Sequence, residues 1–433
     1  MIILGIETSC DETAMSLIES DNGTDITVLS DKTLTQIELH KQYGGVFPNM
    51  AKREHSKNLV PLLKTVLEEA GFLKFKVQSS KFKVDEAGKK DLRLKSKDLS
   101  RTQSARFPTT YSLQLKSVLD REPEMLEQFL AYIPTIEKPA IDAIAVTEGP
   151  GLEPCLWTGI NLARALSEVW GIPIIPVNHM EGHIFSALLR RKECGANRIS
   201  QNARDNSPLH TTRYTLHAPS FPALALLISG GHTELVLIKS AGTYEIIGQT
   251  RDDAVGEAFD KVARLLGLPY PGGPEISRLA ESARLNAKRY TLNTLTLPRP
   301  MIHSDDYDFS FSGIKTSVLY LIQKLPKLTD DLKTTIALEF ENAVTEVLVS
   351  KTKRALEEFG AKALLLGGGV VANTHIRRSF EKLSEETGVP LYIPEKEMTT
   401  DNALMIASVG LIYGLSNIKD TDALKARGTM RLD

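Results

Sequence analysis

Apolar residues along the chain fall into two rhythms. Short β-branched runs alternate with longer stretches that repeat every three or four residues, a pattern that predicts an α/β fold. Ile2 to Ile6, the polar stretch Glu7-Thr-Ser-Cys-Asp-Glu-Thr13 and Ala14 to Ile18 read as strand, turn, strand. Ala223 to Ile228, Ser229-Gly-Gly-His-Thr233 and Glu234 to Ile238 repeat that plan. One supersecondary unit used twice implies two related lobes. The expected division is an N-terminal lobe over 1–189, an irregular basic linker over 190–219 and a C-terminal lobe over 220–433, with a basic insertion at 72–119 in the first lobe.

Leu59, Leu62, Leu63, Val66 and Leu67 keep helical spacing on a segment from about Lys52 to Gly71. Further helices are expected over Glu124 to Tyr132, Thr158 to Trp170, a segment ending at Gly267, and Thr334 to Phe359. Strands are expected over Ala140 to Thr147, Ile172 to Val177, Ala363 to Leu366 and Val389 to Ile393. Pro269-Tyr-Pro-Gly-Gly-Pro274 reads as a breaker-rich loop.

At 433 residues the chain can bury ample core without staples. Three scattered cysteines argue against a disulfide framework and for a reducing compartment. No apolar run reaches membrane-span length, and Met1 leads directly into a strand, so the expectation is a cytoplasmic protein, or a mitochondrial one if a presequence has been removed. The net charge of −2 hides an asymmetry: residues 74–119 hold twelve Lys/Arg against four Asp/Glu, and residues 190–213 hold six against two. Such segments are solvated loops or added grip on a phosphate backbone.

The candidate chemistry centres on Asn178-His-Met-Glu-Gly-His183 at a strand-to-helix junction. His179 and His183 one turn apart are either a metal clip or two polar histidines bonded to backbone or water. Glu181, about 200° round the helix from His179, points away and is no protease base. Asp401, just after a strand, is an ordinary N-cap or the third ligand. Gly367-Gly-Gly-Val-Val-Ala-Asn373 between a strand and a helix suits a phosphate or nucleotide but lacks dinucleotide and P-loop spacing. His55 is expected at the cleft rim or in solvent, Cys155 as packing, and Asp260 with Lys261 as a solvated helix pair.

Taken together, ETSCDET (7–13), GPGL (149–152), NHMEGH (178–183), LISGGHTELV (227–236), GEAFDKVARLLGLPYPGGP (256–274), FSFSGIKT (309–316), GGGVVAN (367–373) and TDNALMIA (400–407) resemble the tRNA N6-adenosine threonylcarbamoyltransferase family of TsaD type, in its bacterial and organellar branch. The resemblance implies an actin-like ATPase fold with two lobes around a nucleotide cleft. It puts a divalent metal, iron favoured and zinc possible, on His179, His183 and Asp401. It puts the bound intermediate on Leu227, Ile228, Ser229, Gly230, Gly231, Asp260, Gly273 and Asn373, and the reacting end near Asp11 and Glu12, with Asp11 expected to accept the amine proton. It further implies threonylcarbamoyl-adenylate as donor, the adenosine 3′ to the anticodon of tRNAs reading ANN codons as acceptor, and partners of TsaB and TsaE type. Glu12 and Cys155 depart from the commoner family residues, and the 72–119 insertion is foreign to compact members. The alternatives are a small-molecule kinase of the same fold, which has no use for two imidazoles, a metallo-glycopeptidase, against which Glu181 counts, and a nucleotide-gated scaffold, which leaves the histidines unexplained.

Overall fold

A computed structural model describes residues 1–76, 115–192, 212–286, 295–418 and 423–432. Two sheets organise it. The first comprises β1 (Ile2–Glu7), β2 (Glu12–Glu19), β3 (Asp25–Thr35), β4 (Ala143–Gly149), β5 (Ile174–Asn178), β6 (Leu189–Arg191) and β7 (Thr212–Leu216), in the order β5-β4-β1-β2-β3-β7-β6. The second comprises β8 (Ala223–Ile228), β9 (Thr233–Ser240), β10 (Thr243–Gln249), β11 (Ala363–Gly367) and β12 (Leu391–Tyr392), in the order β10-β9-β8-β11-β12.

The two sheets share one plan. In each, an antiparallel meander (β1-β2-β3 or β8-β9-β10) is flanked on its first strand by two parallel strands. β1 and β8 sit centrally and are buried almost throughout, as strands covered by helices on both faces must be. This duplicated topology is that of the actin-like ATPase fold, and both expected hairpins are its central pairs. The registers end at Glu7↔Ala14 and Ile228↔Thr233, so the first turn is two residues longer than the second, enough to carry an acidic loop.

Packing departs from the lobe boundaries expected from sequence. The Ala403–Tyr413 helix, far along the chain, lies on the first sheet, with Leu404, Met405, Ile406 and Ala407 in one core with Ile3, Ile18 and Ala145. Gly5 permits this: a Cβ there would stand 2.4 Å from Ala403 O. Conversely, the His179–Leu188 helix packs Met180, Ile184 and Ala187 against Ala223, Ala225 and Leu365 of the second sheet. The C-terminal stretch then runs from Leu424 in the first core to Leu432 beneath the second sheet. The lobes are therefore interlocked through segments that bear His179, His183 and Asp401, and 220–433 is not one self-contained lobe.

The stretch 190–219, expected to be irregular, contributes at its ends to the antiparallel pair β6-β7, which extends the first sheet through β3. Residues 193–211 lie outside the described residues. The flanks of the expected 72–119 insertion are also ordered: Lys76 N donates to Thr135 O (2.9 Å), and Leu115 and Leu119 are buried in the first core. Residues 77–114 lie outside the described residues. A helix, Gly272–Leu285, begins inside the expected Pro269–Pro274 loop, and the expected strand Val389 to Ile393 shortens to Leu391–Tyr392.

Candidate active site

His179 is the first residue of its helix and His183 lies one turn on. Asn178 fixes that start: its Oδ1 accepts from Met180 N (2.9 Å) and its Nδ2 donates to Arg431 O (3.0 Å). Asp401 is not an N-cap. Asn402 takes that role by accepting from Met405 N (2.9 Å), which leaves the Asp401 carboxylate free to face the histidines. Its Oδ1 lies 3.3 Å from His179 Nε2 and 3.2 Å from His183 Nε2. The three donors lie within 4.8 Å of one another.

This trio fits a divalent metal ion. Separations of 3.2 and 3.3 Å are what donors subtend across a cation held by bonds of about 2.0–2.2 Å. His183 is fully buried, its Nδ1 has no hydrogen-bond partner among the described residues, and its Nε2 faces the Asp401 carboxylate that shares the cluster. Two imidazoles and one carboxylate are also the donor set of ferrous and catalytic zinc sites. Glu181 faces elsewhere, accepting hydrogen bonds from Tyr244 (2.5 Å) and Tyr413.

Glu7, not singled out from the sequence, braces this cluster. Glu7, fully buried at the end of β1, accepts from His179 Nδ1 (3.0 Å), Thr147 Oγ1 (2.6 Å) and Ser9 N (2.5 Å). It thereby fixes the His179 ring so that Nε2 faces Asp401. Burial works against charge on both partners. Even so, the Asp401 and Glu7 carboxylates keep the His179 imidazole well above its ordinary range, and His179 in turn keeps Glu7 below its own. Glu7→Gln is expected to weaken metal retention by roughly 10–100-fold, measured by competition with a chelator, with little change in the fold.

The β1-β2 turn carries Asp11 and Glu12 into a cleft of about 750 Å³, which is also lined by His179, Asp401 and Ser229 to His232. Burial first, then Asp11 and Asp401, raise the Glu12 carboxyl well above the usual carboxylate range. His55, expected near solvent, is instead buried beneath this turn. It donates from Nε2 to Cys10 O (2.9 Å), and Thr13 Oγ1 lies 2.7 Å from its Nδ1. Burial pushes it down to about 4, so at neutral pH it is an uncharged brace for the acidic turn. Cys155 is packing: it is fully buried, and burial pushes its thiol up to about 12. His232, unremarked in the sequence reading, also faces the cleft and is pushed down to about 4 by burial and by His179 and His183.

A second cavity, about 570 Å³, continues the cleft and shares Gly230, Asp260 and Gly369 with it. Phe259, Pro271, Pro274, Val370 and Ala372 give it apolar walls of the kind a purine fills, and Gly273 and Asn373 line it too. Asp260 does not pair with Lys261. Its Oδ1 accepts from Gly272 N (2.7 Å), while Lys261 binds Asp253 (2.7 Å) and Glu257 (2.9 Å). The Asn373 amide is committed elsewhere: Oδ1 caps a helix through Ile376 N (3.0 Å) and Nδ2 donates to Glu341 (2.5 Å). Leu227 and Ile228, expected among the binding residues, are fully buried β8 residues in two separate cores, and neither lines either of these two cavities. Ser229 accepts from Gly231 N (3.3 Å) and His232 N (3.1 Å), which shapes the turn.

A Cβ added at Gly230 or Gly231 would meet nothing within 4 Å, so the protein itself does not require glycine there. The bareness serves whatever occupies the cleft. Gly230→Val is expected to unfold at the denaturant concentration of the parent and to bind an adenine nucleotide at least roughly tenfold more weakly, as measured by calorimetry.

Two duplicated α/β lobes, a purine-sized cavity and a two-imidazole, one-carboxylate cluster at the cleft define a nucleotide-cleft protein of the actin-like ATPase class that carries a candidate metal centre. The family model described as "TsaD: tRNA N6-adenosine threonylcarbamoyltransferase" matches residues 27–78, 120–196 and 208–408. The tRNA N6-adenosine threonylcarbamoyltransferase of Bacillus subtilis is 37% identical over 95% of this chain and 90% of its own. Those of Chromobacterium violaceum, at 36%, and Thermomicrobium roseum, at 38%, each align over 92% of their own length and over 95% and 96% of this one. The chain belongs to the TsaD family of tRNA N6-adenosine threonylcarbamoyltransferases. Among solved structures, Thermus thermophilus ROK hexokinase is similar at a TM-score of 0.40 and 12% identity, covering 94% of this chain and 97% of its own. T. kodakarensis HypF is similar at 0.43 and 14%, covering 68% and 43%. Likeness that slight leaves the fold assignment to the chain's own topology and its family.

Proposed function

We propose that this transferase moves the threonylcarbamoyl group of threonylcarbamoyl-adenylate onto N6 of the adenosine 3′ to the anticodon in tRNAs that read ANN codons, releasing AMP. The observation that carries this reading is the junction of the two cavities through Gly230, Asp260 and Gly369: a purine-sized pocket opens directly onto the His179, His183 and Asp401 cluster and the acidic turn. A nucleotide whose acyl phosphate must lie near the cluster fits that layout. A kinase would need magnesium held by carboxylates and water, and the imidazole pair speaks against it.

In this account the donor adenine lies against Phe259 and Val370, and backbone N–H groups of Gly230 and Gly369, which line both cavities, hold its phosphate. His179, His183 and Asp401 hold one divalent cation, iron favoured over zinc, with Glu7 orienting His179. When bound, such a cation supplies Lewis-acid polarisation of an acyl oxygen. N6 forms a bond to the carbamoyl carbon, the bond from that carbon to the phosphate oxygen breaks, AMP leaves, and the N6 proton passes to Asp11. A paralogous actin-like subunit of TsaB type and a small ATPase of TsaE type are the proposed partners, and the cytoplasm is the proposed compartment. The test is incubation with tRNA, threonine, bicarbonate, ATP and an adenylate-forming enzyme, with and without those partners, followed by nucleoside analysis. Threonylcarbamoyladenosine is expected. Its absence under every combination would favour the kinase.

A further inference from the structure

Tyr43 and Phe47 stand at the cleft mouth, and nothing so far uses them. They are 56% and 52% exposed, with ring centroids 6.2 Å apart and planes tilted by 30°. Between them Gly44, Gly45 and Val46 line the cleft that holds Asp11, His179 and Asp401. Two large rings left in water beside a reaction cleft are contact area awaiting a partner.

The rings rest on a rigid base. Gly44 takes a left-handed φ of 66°, and its carbonyl accepts a hydrogen bond from Arg264 on the opposite rim. Phe47 N donates to His40 Nδ1 (3.3 Å), and His40 is fully buried with Nε2 against Gln36 Oε1 (3.1 Å). Gln36 N in turn donates to Asp11 O (3.0 Å). A continuous run of buried polar contacts therefore joins the aromatic loop to the acidic turn. The cleft floor carries Asp11, Glu12 and Asp401, and its walls are shared with the donor cavity through Gly230, Asp260 and Gly369, so the acceptor base must enter from the rim where the aromatic loop stands. A base that enters there is positioned if its neighbour in the RNA is held at the rim.

We infer that Tyr43 and Phe47 are the stacking platform for a base that flanks the reactive adenosine in a single-stranded RNA loop. This rests on the proposed transfer to tRNA and adds the residues that position the acceptor. Unpaired loop bases are typically splayed out onto aromatic rings, and each such stack is sequence-tolerant. The loop then presents the neighbouring adenosine to the cleft.

The test uses the full chain with whatever partners support activity, and a synthetic anticodon stem-loop carrying 2-aminopurine beside the target adenosine. Tyr43→Ala or Phe47→Ala is expected to raise KM for the stem-loop by roughly five- to 150-fold. The kcat and the KM for the donor nucleotide should hold, and Tyr43→Phe and Phe47→Tyr should restore RNA affinity. The parent should quench 2-aminopurine fluorescence and the double alanine variant should not. Unchanged KM together with unchanged quenching overturns the inference. So does a loss that falls on association with a protein partner while RNA binding stays intact. If the parent makes no product with any RNA, it is the transferase reading that fails, and the fluorescence measurement still decides whether a base stacks here.

Discussion

His183→Ala is expected to lower the single-turnover transfer rate by roughly a thousandfold and to reduce bound metal to background, because a Lewis-acid contribution of several kcal/mol disappears with the ligand. The variant should remain folded. His183 touches one polar partner among the described residues, the Asp401 carboxylate at 3.2 Å, and Asp401 keeps His179 at 3.3 Å, so truncation costs mainly packing volume. Elemental analysis of the purified variant, its unfolding curve and its transfer rate would be read together. Treating the parent with a chelator should reproduce the rate loss, and adding back ferrous ion should reverse it in the parent and not in the variant. A variant that keeps both its metal and its rate would remove His183 from the centre, and with it the chemistry assigned to the cleft.

The parts of this fold that were legible from sequence are those where local pattern and tertiary role agree. β1 and β8 read as strands because both faces are buried and the runs are uniformly apolar. β3 and β10 did not, because they lie toward the sheet flanks, and strings such as Asp31-Lys-Thr33 show only a weak alternation. The start of the Ala403–Tyr413 helix was implied by reading Asp401 as a possible N-cap, but the helix's home on the first sheet follows from Gly5 and Gly410 admitting it, a long-range fit that no local period encodes.

The same division runs through the site. His179 and His183 were legible because one helix turn sets their spacing, and Asp401 because a carboxylate after a strand is an economical third donor. Glu7 was hidden in plain view within the acidic motif. Its meaning depends on Thr147 and His179, 140 and 172 residues away. His55 was misread for the complementary reason: a polar residue in an amphipathic helix looks solvent-facing until the Cys10 carbonyl and the Thr13 hydroxyl are seen beneath it.

Asp11→Asn is expected to slow transfer by roughly 10²–10⁴-fold while leaving metal content and the KM for donor nucleotide unchanged. An exocyclic aromatic amine is a weak nucleophile, and its proton must go somewhere as the bond to the carbamoyl carbon forms. Asp11 lines the cleft beside Asp401, on a turn whose backbone is pinned by Gln36 and His55, so replacing an oxygen by an amide nitrogen should not move it. Glu12 makes the control. Burial and the Asp11 charge both raise the Glu12 carboxyl well above the usual carboxylate range, which makes it a poorer proton acceptor, so Glu12→Gln should cost less than Asp11→Asn. Rapid-quench measurement with preformed adenylate would separate the chemical step from donor supply. Equal effects from the two substitutions would point to shared electrostatics rather than proton acceptance, and an undiminished rate in Asp11→Asn would move the proton to another acceptor, with the neutral His232 imidazole the next group on the cleft wall to test.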